Sequence, residues 1–237
     1  MSGVVVVDPP RAEAAAVARL GACGVATVHE AMSRSGLLPS TIRPAFPGHR
    51  VAGTAVTVQC WPGDNLMIHV AVEQCRAGDI LLVTTASPST DGSFGELLAT
   101  ALQYRGVVAV VTTAGVRDVA ELRAMGFPAW SSGISAQGTV KATAGTVNLP
   151  VAVGGVVVAP GDVLVCDEDG VVCVPRAQAP GVAAAAEDRQ RREVQTREAF
   201  LAGELGLDRY GLRDLVSRLG ITYRTSTADE GDPPWNA

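Results

Sequence analysis

The chain has 237 residues, enough for one large domain with appendages, and 47% of them are hydrophobic, enough for a substantial core. Its formal net charge is -5 and its 19 lysines and arginines are scattered, so no basic stripe exists to hold nucleic acid by its phosphates. The apolar runs are broken by Gly and Pro well short of the roughly 20 apolar residues that cross a bilayer, which excludes a membrane partner of the helical kind. The five cysteines, Cys23, Cys60, Cys75, Cys166 and Cys173, form no C-x-x-C pair and follow no secretory signal pattern, so the expectation is free thiols in a reducing cytoplasm.

Taken in order, "PPRAEAAAVARLGACG" predicts a helix that opens near Pro and stops at Gly24, and "VATVHEAMSRSG" a second. "RVAGTAVTVQC" alternates with period two and predicts a strand, while "DNLMIHVAVEQC" places Leu66, Val70 and the Ala71 region on one helical face. Then "DILLVTT" reads as strand, "GELLATALQYRG" as helix, "VVAVVTT" as strand and "RDVAELRAMG" as helix, an alternation typical of α/β domains. From Val147 the chain turns β-rich and Gly-punctuated, which predicts a second sheet layer. Within it "CDEDGVVC" reads as a hairpin with Asp169-Gly170 at the turn, setting Cys166 opposite Cys173. "RAQAPGVAAAAEDRQRREVQTREAFLAGELG" predicts a long charged helix, "DRYGLRDLVSRLG" a shorter amphipathic one, and "STADEGDPPWNA" a frayed tail. The expected division is 1–176 as catalytic domain, 177–225 as helices contacting a neighbouring subunit, and 226–237 as tail.

Several familiar devices are missing: no G-x-G-x-x-G after a strand, no P-loop, no H-E-x-x-H and no G-x-S-x-G. Three well-separated histidines make a zinc site improbable, so any metal would be held by oxygen, as suits Mg²⁺. In an open α/β sheet, ligands sit beyond the carboxyl ends of the strands. "VVAVVTT" ends just before Gly115, which brings Arg117 and Asp118 to that rim, a planar fork beside a carboxylate at a helix start. The same two residues also read as a helix-start charge beside a surface arginine. "DGSFGELLAT" starts a second rim helix, whose free amides around Glu96, Leu97 and Leu98 suit a small carboxylate. The turn "GD" recurs before apolar runs, in "PGDNLMI", "AGDILLV" and "PGDVLVC"; in the last two it turns the chain into a strand, and in the first it precedes a helix.

Together "GVATVHEA", "PGDNLMIHVAVEQC", "SPSTDGSFGELLAT", "GVRDVAELRAMGFP", "ISAQGTVKAT", "PGDVLVCDEDGVVCVP" and "GELGLDRYGLR" resemble the 4-hydroxy-4-methyl-2-oxoglutarate / 4-carboxy-4-hydroxy-2-oxoadipate aldolases, class II pyruvate aldolases related to the regulator of ribonuclease E activity. The resemblance runs in order from about Val25 to Tyr223. It implies an α/β fold, a three-layer β/β/α sandwich of the swivelling-domain type with a C-terminal helical extension. It also implies a homotrimer or homohexamer with Mg²⁺ or Mn²⁺ at sites between subunits. By position, it gives Asp118 as metal ligand, Arg117 as the contact to the pyruvyl oxygen, and the amides of Gly95 to Leu98 as the carboxylate site. Glu96 matches an acidic residue near the metal waters and Glu193 one supplied by the adjacent subunit, while Asn65, His69 and Lys141 meet the distal carboxylates. The implied reaction is cleavage of a 4-hydroxy-2-oxo acid to pyruvate and a second 2-oxo acid, with oxaloacetate decarboxylation as a side activity through the same enolate. The alternatives are a non-enzymatic binder like the ribonuclease E regulator, and an enzyme of the aldolase fold with a different 2-oxo acid substrate, among them an oxaloacetate decarboxylase. The chain departs from the family pattern at Thr113, at Ala159 and in "VAVGG", which bears on the native substrate rather than on the reaction class.

Overall fold

A computed structural model describes residues 3–224, so the expected tail at 226–237 lies outside the described residues. The chain opens with β1 (Val4–Val5) and the Ala-rich α1 (Ala14–Cys23), which ends at Gly24 with φ 80° before α2 (Val25–Ala31). After β2 (Arg43–Pro44), the alternating Val/Thr run forms β3 (Val51–Cys60). Then come α3 (Leu66–Val72), β4 (Asp79–Thr85), β5 (Gly92–Phe94), α4 (Glu96–Tyr104), β6 (Ala109–Val116), α5 (Val119–Ala124) and β7 (Ala129–Ile134). The β-rich segment holds β8 (Thr146–Val147), β9 (Val151–Val153), β10 (Val156–Val158), β11 (Val163–Asp167) and β12 (Gly170–Val174). Three helices follow: α6 (Ala179–Leu201), α7 (Gly206–Arg209) and α8 (Arg213–Arg218).

β3, β4, β6 and β7 are parallel neighbours, so their carboxyl ends share one edge. β5 adds to β6 in parallel, and β11 joins β3 antiparallel, pairing Val163 with Thr54 and Cys166 with Val51. Side chains alternate across this sheet as the strand period demands. Leu81 and Val83 face a core shared with Ile68 of α3, Leu102 of α4 and Leu122 of α5. Ile80 and Leu82 face the opposite core, with Trp130, Val151, Val158 and Val171. A third core sets Leu20 and Val28 against Val163 and Val172. The result is the expected three-layer β/β/α arrangement, with strands buried on both faces and therefore almost wholly apolar.

Local expectations need correction at three places. Cys166 pairs with Val171 and Cys173 with Leu164, because the hairpin turns one residue earlier than the Asp-Gly pair suggests. Asp167 Oδ1 accepts the Asp169 amide at 2.9 Å, and this local bond fixes the turn at Glu168-Asp169. The amphipathic segment after α6 is not one helix; Gly211 at φ 63° separates α7 from α8. In α3 the buried face is Met67, Ile68 and Ala71, while Leu66 and Val70 are only half-buried.

By internal contacts the chain divides into a unit ending at Gln190 and another beginning at Arg191, with α6 spanning the division. The first unit holds the whole sheet. In the second, Phe200 meets Tyr210 edge-on with ring centroids 6.1 Å apart, and Arg213 Nη2 donates to Asp208 Oδ2 at 2.8 Å. No helix among the described residues is long and apolar enough to cross a membrane. All five cysteines are free thiols and buried; burial pushes Cys60, Cys75 and Cys173 up to about 12.

Candidate active site

Where the parallel strands end, a cleft of about 130 Å³ is lined by Asn65, His69, Ser93, Gly95, Leu97, Leu98, Arg117, Asp118 and Lys141. All the residues expected at the site line it except Glu96 and Glu193. They come from four separate segments, so sheet topology alone brings them together.

Asp118 occupies the N-cap position of α5 with φ 56° and ψ 41°, a left-handed conformation that few non-glycine residues adopt. Its carboxylate does not cap α5. Instead Oδ2 accepts the backbone amide of Glu96, at the start of α4, at 3.1 Å. The same oxygen lies 3.6 Å from Arg117 Nε, and both side chains remain about two-fifths exposed. Arg117 is fixed through its backbone, whose amide donates to the Phe94 carbonyl at 2.9 Å. Two helix starts and the ends of two strands are thus tied within a few residues. Gly95 makes this packing possible: a Cβ there would run into Asp118 Oδ2 and lie 2.9 Å from Arg117 Cγ.

Of the amides expected to take a carboxylate, that of Glu96 is already engaged by Asp118. Those of Leu97 and Leu98 have no backbone acceptor, as the first turn of a helix requires, and remain available. The Glu96 side chain turns along α4, where Oε1 accepts the Thr100 hydroxyl at 2.8 Å. Glu193 lies on α6 in the second unit.

The cleft is also lined by His69, from α3, and Lys141. Partial desolvation pushes the His69 imidazole below its ordinary value, and the charge of Lys141 adds to the effect. Asp64 holds the Lys141 loop in place: Oδ1 accepts the Leu66 amide, and Oδ2 those of Ala142 and Thr143, each at 2.8 Å. Burial alone would raise the Asp64 carboxyl, yet these three amides more than offset it and hold the group below the usual carboxylate range. Sequence reasoning missed both Asp64 and Ser93. For Asp64 the signal was present, since its "PGD" is the one that precedes a helix.

Among the described residues, no three His, Cys, Asp or Glu side chains gather as a metal cage. The donor chemistry of the cleft is that of one carboxylate, Asp118, whose Oδ1 has no hydrogen bond. This fits a hydrated Mg²⁺ or Mn²⁺, which keeps its waters and needs one or two carboxylates, and it does not fit a closed zinc site. None of the three departures from the family pattern, Thr113, Ala159 and the "VAVGG" run at 151–155, lines the cleft. Thr113 Oγ1 accepts the Thr85 amide at 3.3 Å, and the Ala159 amide donates to Asp162 Oδ2 at 2.9 Å in the turn before β11.

A polar cleft at the carboxyl edge of a parallel sheet is the place where α/β proteins bind small molecules. The RraA-like family model, described as Aldolase/RraA, matches residues 25–173, and the chain belongs to that family. Over 104 residues the chain is 28% identical to a protein of Halalkalibacterium halodurans that carries the provisional name 4-hydroxy-4-methyl-2-oxoglutarate aldolase; this covers 44% of the chain and 50% of that protein. The chain therefore spans about half the length of this curated relative. Among solved structures it is similar to Streptomyces coelicolor RraAS2, described as an unusual member of the RNase ES inhibitor RraA protein family. That likeness has a TM-score of 0.69 and 28% identity, over 79% of this chain and 99% of that one. An uncharacterized protein from Pseudomonas syringae shares the fold with a TM-score of 0.72 at 23% identity, covering 83% and 97% of the two chains.

Proposed function

We propose that this chain is a divalent-metal-dependent pyruvate aldolase, a carbon-carbon lyase. Its substrate would be a 4-hydroxy-2-oxo dicarboxylate or tricarboxylate, 4-hydroxy-4-methyl-2-oxoglutarate or 4-carboxy-4-hydroxy-2-oxoadipate, and its products pyruvate and a second 2-oxo acid, pyruvate or oxaloacetate. The observation that carries the reading is convergence. One small cleft joins two unpartnered helix-start amides, an arginine fork, a carboxylate with a free oxygen, a lysine and a histidine.

In this reading the amides of Leu97 and Leu98 take the C1 carboxylate, and Arg117 faces the C2 oxygen. Asp118 would hold Mg²⁺ or Mn²⁺ largely through its waters, with Glu193 of a neighbouring copy completing the acidic set in a homotrimer or homohexamer. The cation supplies Lewis acidity at the 2-oxo acid. Glu96, which bonds Thr100 and does not line the cleft in the free chain, would turn from Thr100 to accept the proton of the 4-hydroxyl. The C3–C4 bond then breaks, its electron pair builds the enolate of pyruvate, and Arg117 balances the charge that grows on the C2 oxygen. A proton delivered to C3 releases pyruvate. Lys141 and His69 receive the distal carboxylates. Oxaloacetate losing CO₂ would yield the same enolate, so decarboxylation accompanies the lyase activity. We place the enzyme in the cytoplasm, in keeping with its buried free thiols.

The competing reading is a non-enzymatic regulator, supported by the likeness to RraAS2. Pyruvate release from 4-hydroxy-4-methyl-2-oxoglutarate, measured with Mg²⁺ and again with excess chelator, separates the two. The aldolase reading predicts turnover that the chelator abolishes; no turnover with either Mg²⁺ or Mn²⁺ would contradict it.

A further inference from the structure

Two polar atoms at the cleft are buried without any hydrogen-bond partner: Asn65 Oδ1 and Ser93 Oγ. Both residues line the cleft, and they are only 8% and 4% exposed. Such atoms are uncommon because burial strips them of water with nothing in return, and a cleft that keeps two, on residues joined by the Asn65 Nδ2 bond to the Ser93 carbonyl, is built for something absent from the free chain.

What they can bind follows from the orientation of the Asn65 amide. Its Nδ2 donates to the Ser93 carbonyl at 3.0 Å; turning the amide over would set two carbonyl oxygens against each other. Oδ1 is therefore an acceptor, while the Ser93 hydroxyl still has a proton to give. A carboxylate oxygen needs donors and is repelled by Oδ1. A hydroxyl has the chemistry that matches both atoms, a proton to donate to Asn65 Oδ1 and a lone pair to accept from Ser93 Oγ. Arg117 and Lys141, the charged carboxylate-seeking groups of the cleft, lie on other segments.

We propose that Asn65 Oδ1 and Ser93 Oγ form a subsite for a hydroxyl group of the ligand, so that Ser93 is a specificity-determining residue and Asn65 serves the hydroxyl rather than a distal carboxylate. That this hydroxyl is the one on C4 rests on the aldolase reading. Sites that hydrogen-bond a hydroxyl discriminate strongly against analogues lacking it, because their buried atoms are then left unpaired.

The test uses the intact protein with two unreactive probes. Glutarate is one; 2-hydroxyglutarate, which numbered from its far carboxylate carries the hydroxyl on C4, is the other, each enantiomer titrated separately by calorimetry. For the wild type, one enantiomer should bind about tenfold more tightly than glutarate. Ser93→Ala should erase that preference and leave glutarate affinity within about twofold. Its ligand-free melting temperature should not fall, since the hydroxyl removed has no partner. Equal wild-type affinity for both probes would overturn the proposal, and so would equal weakening of both probes by Ser93→Ala, with or without a lower melting temperature. Pyruvate release from 4-hydroxy-2-oxoglutarate is assayed in parallel. A Ser93-dependent hydroxyl preference without pyruvate release keeps the subsite and sinks the aldolase reading, whereas pyruvate release without the preference sinks the subsite alone.

Discussion

The carboxylate of Asp118 accepts the backbone amide of Glu96 at 3.1 Å, although the two residues are 22 positions apart and start different helices. This bond turns one carboxylate oxygen into a fastener between α4 and α5 and leaves the other facing the cleft. It also explains why a strand as apolar as β6 is followed by an arginine and an aspartate: the strand ends at Val116, and both charges belong to the rim beyond it.

Asn is as tolerant as Asp of the left-handed backbone, and its side-chain oxygen can still accept the Glu96 amide. Asp118→Asn should therefore keep the melting temperature within about 2 °C of the wild type. It should nevertheless lose Mg²⁺-dependent pyruvate release by about 10²-fold or more. Melting curves and a Mg²⁺ titration of the variant check both halves.

Gly95→Ala tests how closely the rim is packed. The added methyl meets the Asp118 carboxylate and the Arg117 stem, so either those side chains or the start of α4 must move. We expect a stability loss of about 1–3 kcal/mol. Activity should fall by about 10²-fold because the catalytic groups are displaced. Chemical denaturation and steady-state kinetics measure the two.

Asp64→Ala leaves the amides of Leu66, Ala142 and Thr143 without their acceptor. A cost of about 2–4 kcal/mol is expected, with weaker binding of dicarboxylates as the Lys141 loop loosens. Because the folded carboxyl titrates below its unfolded value, the stability it confers is complete above that unfolded value. It is lost as pH falls through the folded one. Acid unfolding of the wild type should steepen there, and that component should be missing from Asp64→Ala.

His69 titrates below its ordinary value, so near neutrality Lys141 is the charged group of the pair. As pH drops below the ordinary histidine range, His69 gains a charge and a second cation faces the distal carboxylate. Glutarate binding, corrected for protonation of the ligand's own carboxylates, should therefore tighten as pH falls from about 8 to about 5. In His69→Gln the dependence should flatten. Calorimetric titrations across that range provide the check.

The fold was legible where periodicity is strong, as in β3, β4, β6 and the long α6. It was not legible where tertiary pairing makes the element. β5 is three residues held by β6, and β7 contains "SSG", so neither carries a strand pattern of its own. The site was legible through Arg117, Asp118 and the start of α4, because charges after an apolar strand mark the carboxyl edge of a sheet. Ser93 was hidden, since a serine next to Phe94 looks like any small residue until its hydroxyl is seen buried and unpaired. The orientation of Glu96 toward Thr100 was equally hidden, because helix spacing fixes that contact only once the first residue of α4 is known.

Arg117→Lys bears most directly on the central claim, that an enolate forms opposite this side chain. Lysine keeps the charge and loses the planar fork, so the contact that strengthens as charge moves onto the C2 oxygen is the one impaired. The measurement is kcat for aldol cleavage of 4-hydroxy-4-methyl-2-oxoglutarate and for oxaloacetate decarboxylation, with the inhibition constant of pyruvate alongside. The account predicts that both kcat values fall together by about 10²-fold or more while pyruvate binding changes far less. Wild-type kcat for both reactions in Arg117→Lys would contradict it, and the charged pair would then be no more than the start of a helix.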